Sequence, residues 1–262
     1  MPDLPRRLLA IGLLVIVLGL VGGAVYAQTD SQDTGSPEAS EPTTSATLEA
    51  GEVTAGQIAD RIAAAWTNVT SYRSSTRILP ATGTTDATPS VDLAGTAERQ
   101  VILPDQKRIV ISDAFGVTEI VLANGILSKR TTPPGGEPGQ WQTIDAANVE
   151  PDDPFGRTYE TILAEETPPY SGLSGRQRDR IGTDQGQATI NGRECTGYLF
   201  PEVAATGDRI QVIIYLGDDD LPCRIETRAG LTISQTDYVF NQETSIATPV
   251  SVETPLSDYY DY

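Results

Sequence analysis

The stretch TEIVLANGILSKR, residues 118–130, contains two runs rich in aliphatic side chains that are separated by Asn124-Gly125. An Asn-Gly pair between two such runs is a strong signal for a β-hairpin, because a tight type I′ turn requires positive φ at both central residues. Residues 116–122 and 126–130 are therefore predicted to form neighbouring antiparallel strands.

Alternating apolar and polar residues continue on both sides of this hairpin. In residues 210–216 every second side chain is aliphatic, which is typical of a sheet with one buried face. Turn signals at Pro104-Asp105 and Asn191-Gly192 separate further runs of this kind. Counting the first hairpin, about ten antiparallel strands are predicted; the others lie at 71–79, 91–103, 107–112, 141–144, 195–200, 210–216, 222–228 and 231–240. A one-sided sheet of this size must cover its apolar face.

An amphipathic helix near the start of the domain is the natural cover. Thr54 and Gln57 have the spacing of a capping box, in which each side chain satisfies a free backbone amide of the other residue. The residues that follow at intervals of three or four share one face of a helix of about four turns; they are Ile58, Ile62, Trp66 and Val69. A second helix is predicted at 153–165.

The N-terminal residues have the pattern of an export signal. Arg6 and Arg7 precede an apolar run at 8–25 that is 18 residues long, about 27 Å as a helix. Two interpretations stay open: cleavage after Ala27, or retention of the run as a membrane anchor. Either one places the protein on the extracytoplasmic side of the membrane, secreted or tethered.

Composition divides the chain into four parts. Residues 1–27 form the signal peptide or anchor, and 28–50 are rich in Thr, Ser, Asp, Glu and Pro, which predicts a disordered stalk. The folded domain is expected at 51–245, which is long enough for one core of ordinary size. An acidic, tyrosine-rich tail at 246–262 follows it.

The net charge and the absence of histidine argue against several classes of function. The formal net charge is −18, which argues against nucleic-acid partners because these require clustered Lys and Arg. The chain contains no histidine, so Ser-His-Asp hydrolysis and histidine-containing zinc sites are absent. No constellation of catalytic residues stands out, and we expect no enzyme activity, no cofactor and no metal.

Three segments together resemble a known superfamily. They are VILPDQKRIVIS (101–112), the hairpin at 118–130 and VIIYLGDDDLPCRIE (212–226), and they follow a helix that leads into Ser71-Tyr72-Arg73. This order resembles the extracytoplasmic lipoprotein- and lipid-carrier superfamily, typified by the periplasmic lipoprotein-localisation carrier and by mycobacterial lipid-binding lipoproteins. The resemblance implies an α+β fold, with a strongly curved antiparallel sheet as an unclosed β-barrel and the helix on its concave face. It also implies an apolar cavity for acyl chains.

Candidate ligand-binding residues come from the two walls of that cavity. The helix contributes Ile58, Ile62, Trp66 and Val69, and the sheet contributes Ile109, Ile111, Val212, Ile214 and Ile225. We hypothesise that Trp66 touches the ligand. The alternative is that the helix face packs permanently on the sheet as ordinary core, and the sequence does not distinguish the two.

Two cysteines, Cys195 and Cys223, suggest a disulfide, since exported proteins meet oxidising conditions. If the strands at 195–200, 210–216 and 222–228 are consecutive neighbours, the cysteines lie two strands apart. That separation is about 9.5 Å, beyond the ~7 Å that a disulfide spans between Cα atoms. A bond would require curled strand ends or a different strand order, so the bonded and the free form both stay open.

Together with the export pattern, the resemblance implies a cell-envelope binding protein that holds a lipid or the acyl chain of a lipoprotein, in transport or in sensing. Its partners would be that lipid or acylated lipoprotein, with a membrane protein as a second kind of partner. Two alternatives belong to other classes: a stalk-displayed interaction domain without a ligand, and an envelope-stress sensor that regulates a membrane partner.

Overall fold

The computed structural model describes residues 51–80, 95–148, 162–203, 207–243 and 245–249. The predicted signal or anchor segment, the stalk, most of the predicted helix at 153–165 and the tail from 250 onward lie outside the described residues. Within the described ranges, none of the helices has the length and apolar character needed to cross a bilayer.

Two complete helices, a single 3₁₀ turn and twelve strands are described, and Ile162 and Leu163, in the predicted helix at 153–165, are also helical. The helices are α1 (Ala55–Trp66) and the one-turn α2 (Gly175–Arg178), and the 3₁₀ turn is Ala146–Asn148. The strands are β1 (Glu52–Thr54), β2 (Ser71–Pro80), β3 (Thr96–Ile102), β4 (Gln106–Asp113), β5 (Gly116–Ala123), β6 (Ile126–Thr132), β7 (Gln142–Asp145), β8 (Ile181–Ile190), β9 (Arg193–Val203), β10 (Arg209–Leu216), β11 (Pro222–Ala229) and β12 (Thr232–Phe240).

All twelve strands belong to one antiparallel sheet in the order β1-β8-β9-β10-β11-β12-β2-β3-β4-β5-β6-β7. Strands β1 and β7 are its two edges, so the sheet is open, and the predicted α+β half-barrel architecture is confirmed. All ten predicted strands have a counterpart; residues 91–94 of the one predicted at 91–103 lie outside the described residues, and β3 begins at Thr96. Strands β1 and β8 were not predicted, because β1 has three residues and β8 is mostly exposed and polar, without the alternation that marks a half-buried strand.

The predicted Asn-Gly turns are confirmed by their backbone angles. Asn124 and Gly125 have φ of 54° and 74°, and Asn191 and Gly192 have φ of 51° and 79°. Both residues of each pair therefore occupy the left-handed region that a type I′ turn requires. Each turn joins consecutive antiparallel strands, β5 to β6 and β8 to β9.

The register of the strands defines a continuous inner face. Residues paired across antiparallel strands point to the same side of the sheet. One row of such pairs runs from β10 to β4 through Ile214, Ile225, Thr236, Thr76, Ala97 and Ile111. The side of the sheet that carries this row is called the inner face here, and helix α1 packs against it.

The opposite, outer face carries ion pairs and more than one apolar patch, since the cluster around Cys195 also lies on it. Arg108 and Arg130 both bind Glu119 there. Ile246, in the predicted tail, packs in a small buried cluster with Val121 and Ala123 of β5. The chain just after β12 therefore returns to cover part of the outer face.

Helix α1 begins with the predicted capping box. The Gln57 amide donates to Thr54 Oγ1 over 3.1 Å, and the Thr54 amide donates to Gln57 Oε1 over 2.8 Å. The helix ends at Trp66, about one turn earlier than predicted. The amides of Asn68 and Val69 donate three residues back, which ends the α-helical pattern. Val69 is still buried, but it lies in this turn and not on the helix.

Cys195 and Cys223 form a disulfide, and their Cα atoms are 6.5 Å apart. The strand order β9-β10-β11 is the predicted one, so the estimate of about 9.5 Å is wrong for another reason. A register shift opposite Tyr215 and Leu216 leaves Cys223 without a partner on β10, and β10 ends opposite Thr196. The bond therefore closes across the end of β10, where the sheet no longer keeps its regular spacing.

Reducing this disulfide should lower the free energy of unfolding by about 3.5 kcal/mol, from the entropy that a loop of this length gains in the unfolded chain. The two cysteines are separated by 28 residues in the sequence. Urea unfolding with and without a reductant measures the effect. The double variant Cys195→Ala/Cys223→Ala is the control, since its midpoint should not respond to reductant. A wild-type midpoint that reductant leaves unchanged would contradict the prediction.

Candidate functional site

An apolar cluster lies between helix α1 and strands β9 and β10. Ile58 and Ile62 of the helix are fully buried in it, as is Phe200 of the sheet. Its other buried members are Ala55, Val212, Ile214 and Leu216, and Ile225 packs against it from β11. We call this group the first cluster. It brings together five of the nine candidate ligand-binding residues.

Two further candidates, Ile109 and Ile111, lie on the same inner face but in a separate second cluster. Its other buried members are Ile120, Leu122, Leu127 and Ile162. The sequence placed all nine candidates in one cavity, whereas the structure divides the apolar lining into two clusters. The division arises because strands β12, β2 and β3 lie between β11 and β4 and carry polar residues on the inner face.

Aromatic rings occupy part of the space between the clusters. The ring of Trp66 lies 5.4 Å from that of Tyr72 and 6.1 Å from that of Phe240. Tyr238 stacks on Phe240 at 5.9 Å. Trp66 therefore lies at the boundary between the helix-covered cluster and the centre of the sheet. The other tryptophan, Trp141, stacks on Arg130 and packs beside the cluster of the outer face.

A stretch that is helical only at Ile162 and Leu163 and at no other residue up to 173 crosses the inner face from one cluster to the other. Ile162 is fully buried in the second cluster, while Tyr170 and Leu173 pack against the first. The ring of Tyr170 lies 6.0 Å from that of Phe200. We call residues 162–173 the crossing segment. The inner face thus has two covers, α1 and this segment, and neither belongs to the sheet.

Glu166, near the middle of the crossing segment, is bound by three residues of the sheet. Tyr72 Oη donates to its Oε2 over 2.5 Å, and Lys107 Nζ lies 2.8 Å from its Oε1. Arg99 Nη2 donates to the same Oε1, and Lys107 also donates to the backbone carbonyl of Ala164. The three donors come from β2, β3 and β4, which are neighbouring strands.

This polar group is deeply buried. The side chains of Lys107, Glu166 and Arg99 are 3%, 4% and 12% exposed. Burial disfavours ionisation of Glu166, but the charge of Arg99 and the hydrogen bonds from Lys107 and Tyr72 outweigh it and hold the pKa of Glu166 below its ordinary value. Burial raises the pKa of Tyr72 well above its ordinary value. The group therefore brings together a guanidinium, a lysine amine, a carboxylate and a phenol.

These residues were not among the candidates predicted from the sequence. The sequence did contain a hint of Lys107. Residues 107, 109 and 111 alternate along one strand, so the lysine lies on the same face as Ile109 and Ile111, which is the apolar face. Glu166 carried no such signal, since its partners lie 94, 67 and 59 residues away. Only the fold brings the crossing segment over β2, β3 and β4.

Ion pairs at the margins of α1 hold it only weakly. Arg61 binds Asp220 at 2.6 Å, with both side chains 40% exposed, and Arg178 of α2 binds Asp60 at 2.7 Å. Exposed pairs of this kind contribute about 0–1 kcal/mol each. Contacts with the first cluster therefore supply most of the free energy that keeps α1 on the sheet. Among the described residues, no group of three potential metal ligands is present.

Comparison with known proteins gives similarities to solved structures alone, since no family model and no curated protein matches the chain. The Mycobacterium tuberculosis lipoprotein LppX is 12% identical with a TM-score of 0.44, over 74% of this chain and 98% of LppX. LprF from Mycobacterium bovis is 13% identical with a TM-score of 0.43, over 75% and 97%. The Pseudomonas aeruginosa MucA/MucB complex gives 13% and 0.36, over 73% and 58%. All three TM-scores are below 0.5.

Proposed function

We propose that this protein is a non-enzymatic cell-envelope binding protein that holds a lipid, or the acyl chain of a lipoprotein, between α1 and the inner face of the sheet. It acts on the extracytoplasmic side of the membrane, secreted or tethered, in transport or in sensing. One observation carries the proposal. Two apolar clusters on one sheet face are covered by a three-turn helix and an irregular segment, not by a second sheet layer.

The dimensions of the inner face suit a long acyl chain. From β10 in the first cluster to β4 in the second there are five strand spacings, about 24 Å across the sheet. A chain lying along this path would meet aliphatic side chains at both ends and the rings of Trp66, Tyr72 and Phe240 between them.

Helix α1 can replace its contacts with the sheet by contacts with an acyl chain at little net cost in free energy. Moving α1 aside exposes Ile58 and Ile62, and each fully buried side chain of this size is worth about 1.5–3 kcal/mol. An acyl chain that takes the place of the sheet beneath them restores an apolar environment, so the burial is largely regained. The marginal ion pairs add little resistance to this movement.

One observation favours a second function, an interaction domain on a stalk without a ligand. Ile58, Ile62 and Phe200 are completely buried by other side chains, as they would be in a permanent core. In that case the surface of the domain, and not its inner face, would contact the partner.

Lipid analysis distinguishes the two functions. The full-length protein, purified from the fraction in which it accumulates, is extracted with organic solvent, and the extract is examined by mass spectrometry. We expect co-purified lipid or acylated peptide. An extract that contains neither, from several preparations, would favour the interaction domain.

Tryptophan fluorescence locates the binding. In delipidated Trp141→Phe protein, where Trp66 is the remaining tryptophan, titration with hexadecanoate should change the emission saturably, because Trp66 lies at the edge of the first cluster. The matched control is Trp66→Phe, whose remaining Trp141 packs on the outer face and should not respond. Unchanged spectra in both variants, together with an extract free of lipid, would refute the proposal.

A further inference from the structure

The polar group around Glu166 on the inner face has the construction of an anion site. Three donors, Arg99, Lys107 and Tyr72, converge on one carboxylate. A guanidinium, an ammonium and a phenol hydroxyl around two oxygens are the donors that bind carboxylate or phosphate heads in proteins.

The donors exceed what the bound carboxylate uses. Glu166 supplies one negative charge against the two positive charges of Arg99 and Lys107. Arg99 Nε is buried and lacks a hydrogen-bond partner among the described residues. An excess charge and an unused donor are costly in a buried position, so a purely structural role accounts poorly for them.

The donors and the acceptor come from different kinds of structure. Tyr72, Arg99 and Lys107 lie on neighbouring strands in the middle of a twelve-stranded sheet, where pairing on both sides keeps them in place. Glu166 lies on the crossing segment, which has no strand pairing. Movement of this segment would remove the carboxylate and leave the three donors where they are.

The site also lies at the right place for an amphiphile. Apolar clusters flank it on both sides of the inner face, so a headgroup bound there leaves its chain beside aliphatic side chains. Ile162, four residues before Glu166, is the member of the second cluster that the crossing segment contributes. Release of Glu166 would loosen the cover of that cluster as well.

We propose that Arg99, Lys107 and Tyr72 bind the carboxylate or phosphate head of an acidic amphiphile, and that Glu166 occupies this site as a stand-in for the head until the ligand displaces it. The inference rests on the proposed lipid-binding function and specifies the class of its ligand. Binding of the head and release of the crossing segment are thereby one event.

Ligands that differ only in their head test this assignment. Delipidated full-length protein is titrated with hexadecanoate, hexadecyl phosphate and hexadecanol, and with inorganic phosphate alone. We expect the affinity for the two acidic amphiphiles to be at least about tenfold higher than for the alcohol, because hydrogen bonds to charged groups are stronger than those between neutral groups. Inorganic phosphate at millimolar concentration should neither bind measurably nor compete, since it has no chain to bury.

Two variants should move the affinity in opposite directions. Arg99→Gln should remove most of the preference for acidic heads, whereas Arg99→Lys should keep part of it. Glu166→Gln should bind the acidic amphiphiles more tightly than the wild type, because the competing carboxylate is gone. Binding of these amphiphiles should also raise the melting temperature of Glu166→Gln by more than it raises that of the wild type. Arg77→Gln and Glu165→Gln are the matched controls, since Arg77 is about half exposed on the outer face and Glu165 is exposed. Opposite shifts in two variants cannot both result from misfolding.

The possible outcomes distinguish a failure of the anion-site inference from a failure of the proposed lipid-binding function. Equal affinities for all three amphiphiles, unchanged in Arg99→Gln, would overturn the anion site and leave lipid binding in place. Tight binding of inorganic phosphate that depends on Arg99, with no gain from a chain, would mean that the site takes a free anion and would overturn the headgroup assignment. Failure of every amphiphile to bind would remove the proposed function and this inference with it.

Discussion

Replacing Glu166 with glutamine is expected to lower the free energy of unfolding by about 3–5 kcal/mol at neutral pH, the usual result of removing one partner from a buried ion pair. The change leaves Arg99 and Lys107 with side chains 12% and 3% exposed and no carboxylate between them. An amide oxygen can still accept hydrogen bonds, but it cannot offset two buried positive charges.

The effect should depend on pH in a defined direction. The folded-state pKa of Glu166 lies below its ordinary value of 4.5, so the ionised form is favoured in the folded protein. A group of this kind contributes stability that is fully present above its unfolded pKa and is lost as the pH falls through its folded pKa. The stability difference between wild type and Glu166→Gln should therefore be constant near neutrality and shrink below about pH 4.5.

Urea unfolding at a series of pH values measures this difference. The control is Glu165→Gln, which removes the same charge from the exposed neighbouring residue and should change the stability by less than about 0.5 kcal/mol. If Glu166→Gln and Glu165→Gln had the same small effect at every pH, the buried polar group would not contribute to the fold as described.

Phe200→Ala is the second substitution with a large expected effect, about 3–5 kcal/mol of unfolding free energy. Phe200 is fully buried in the first cluster, and the ring of Tyr170 lies 6.0 Å from its own. Gly182 on β8 lies so close that a Cβ there would fall 2.3 Å from Phe200 Cε1. Because the ring connects β8, β9 and the crossing segment, its loss leaves a cavity that none of these elements can close by itself.

Thermal and chemical unfolding of the variant provide the measurement. Phe115→Ala is the matched control, since Phe115 is 61% exposed and its removal should change the stability by no more than about 0.5 kcal/mol. A loss below 1 kcal/mol for Phe200→Ala would show that the inner face collapses readily around a missing ring. It would also weaken the case for a well-packed first cluster.

Local patterns in the sequence predicted most of the secondary structure. The Asn-Gly turns, the period-two strands and the capping box of α1 were each recognisable from residues close together in the chain, and each is present in the structure. Two strands, β1 and β8, were not predicted, and β8 pairs with β1 and β9 although its own residues show little alternation. Its neighbours, and not its intrinsic pattern, make it a strand.

The candidate site was predicted only in part. The face of α1 and the aliphatic residues of β4, β10 and β11 do lie on the inner face, as their spacing indicated. Their division into two clusters and the polar group between them were missed. Both follow from the strand order, in which β12 pairs with β2 and so brings together the two ends of the domain.

The sequence by itself determined the hairpins, the amphipathic helix and the side of the sheet that each strand buries, because these depend on backbone preferences and periodicity over a few residues. Only the tertiary structure decided that Cys195 meets Cys223 and that Glu166 meets Arg99, Lys107 and Tyr72. The first contact depends on a register shift at the end of one strand, and the second on where a distant irregular segment crosses the sheet. Such contacts are set by the packing of the whole chain, so no local pattern contains them.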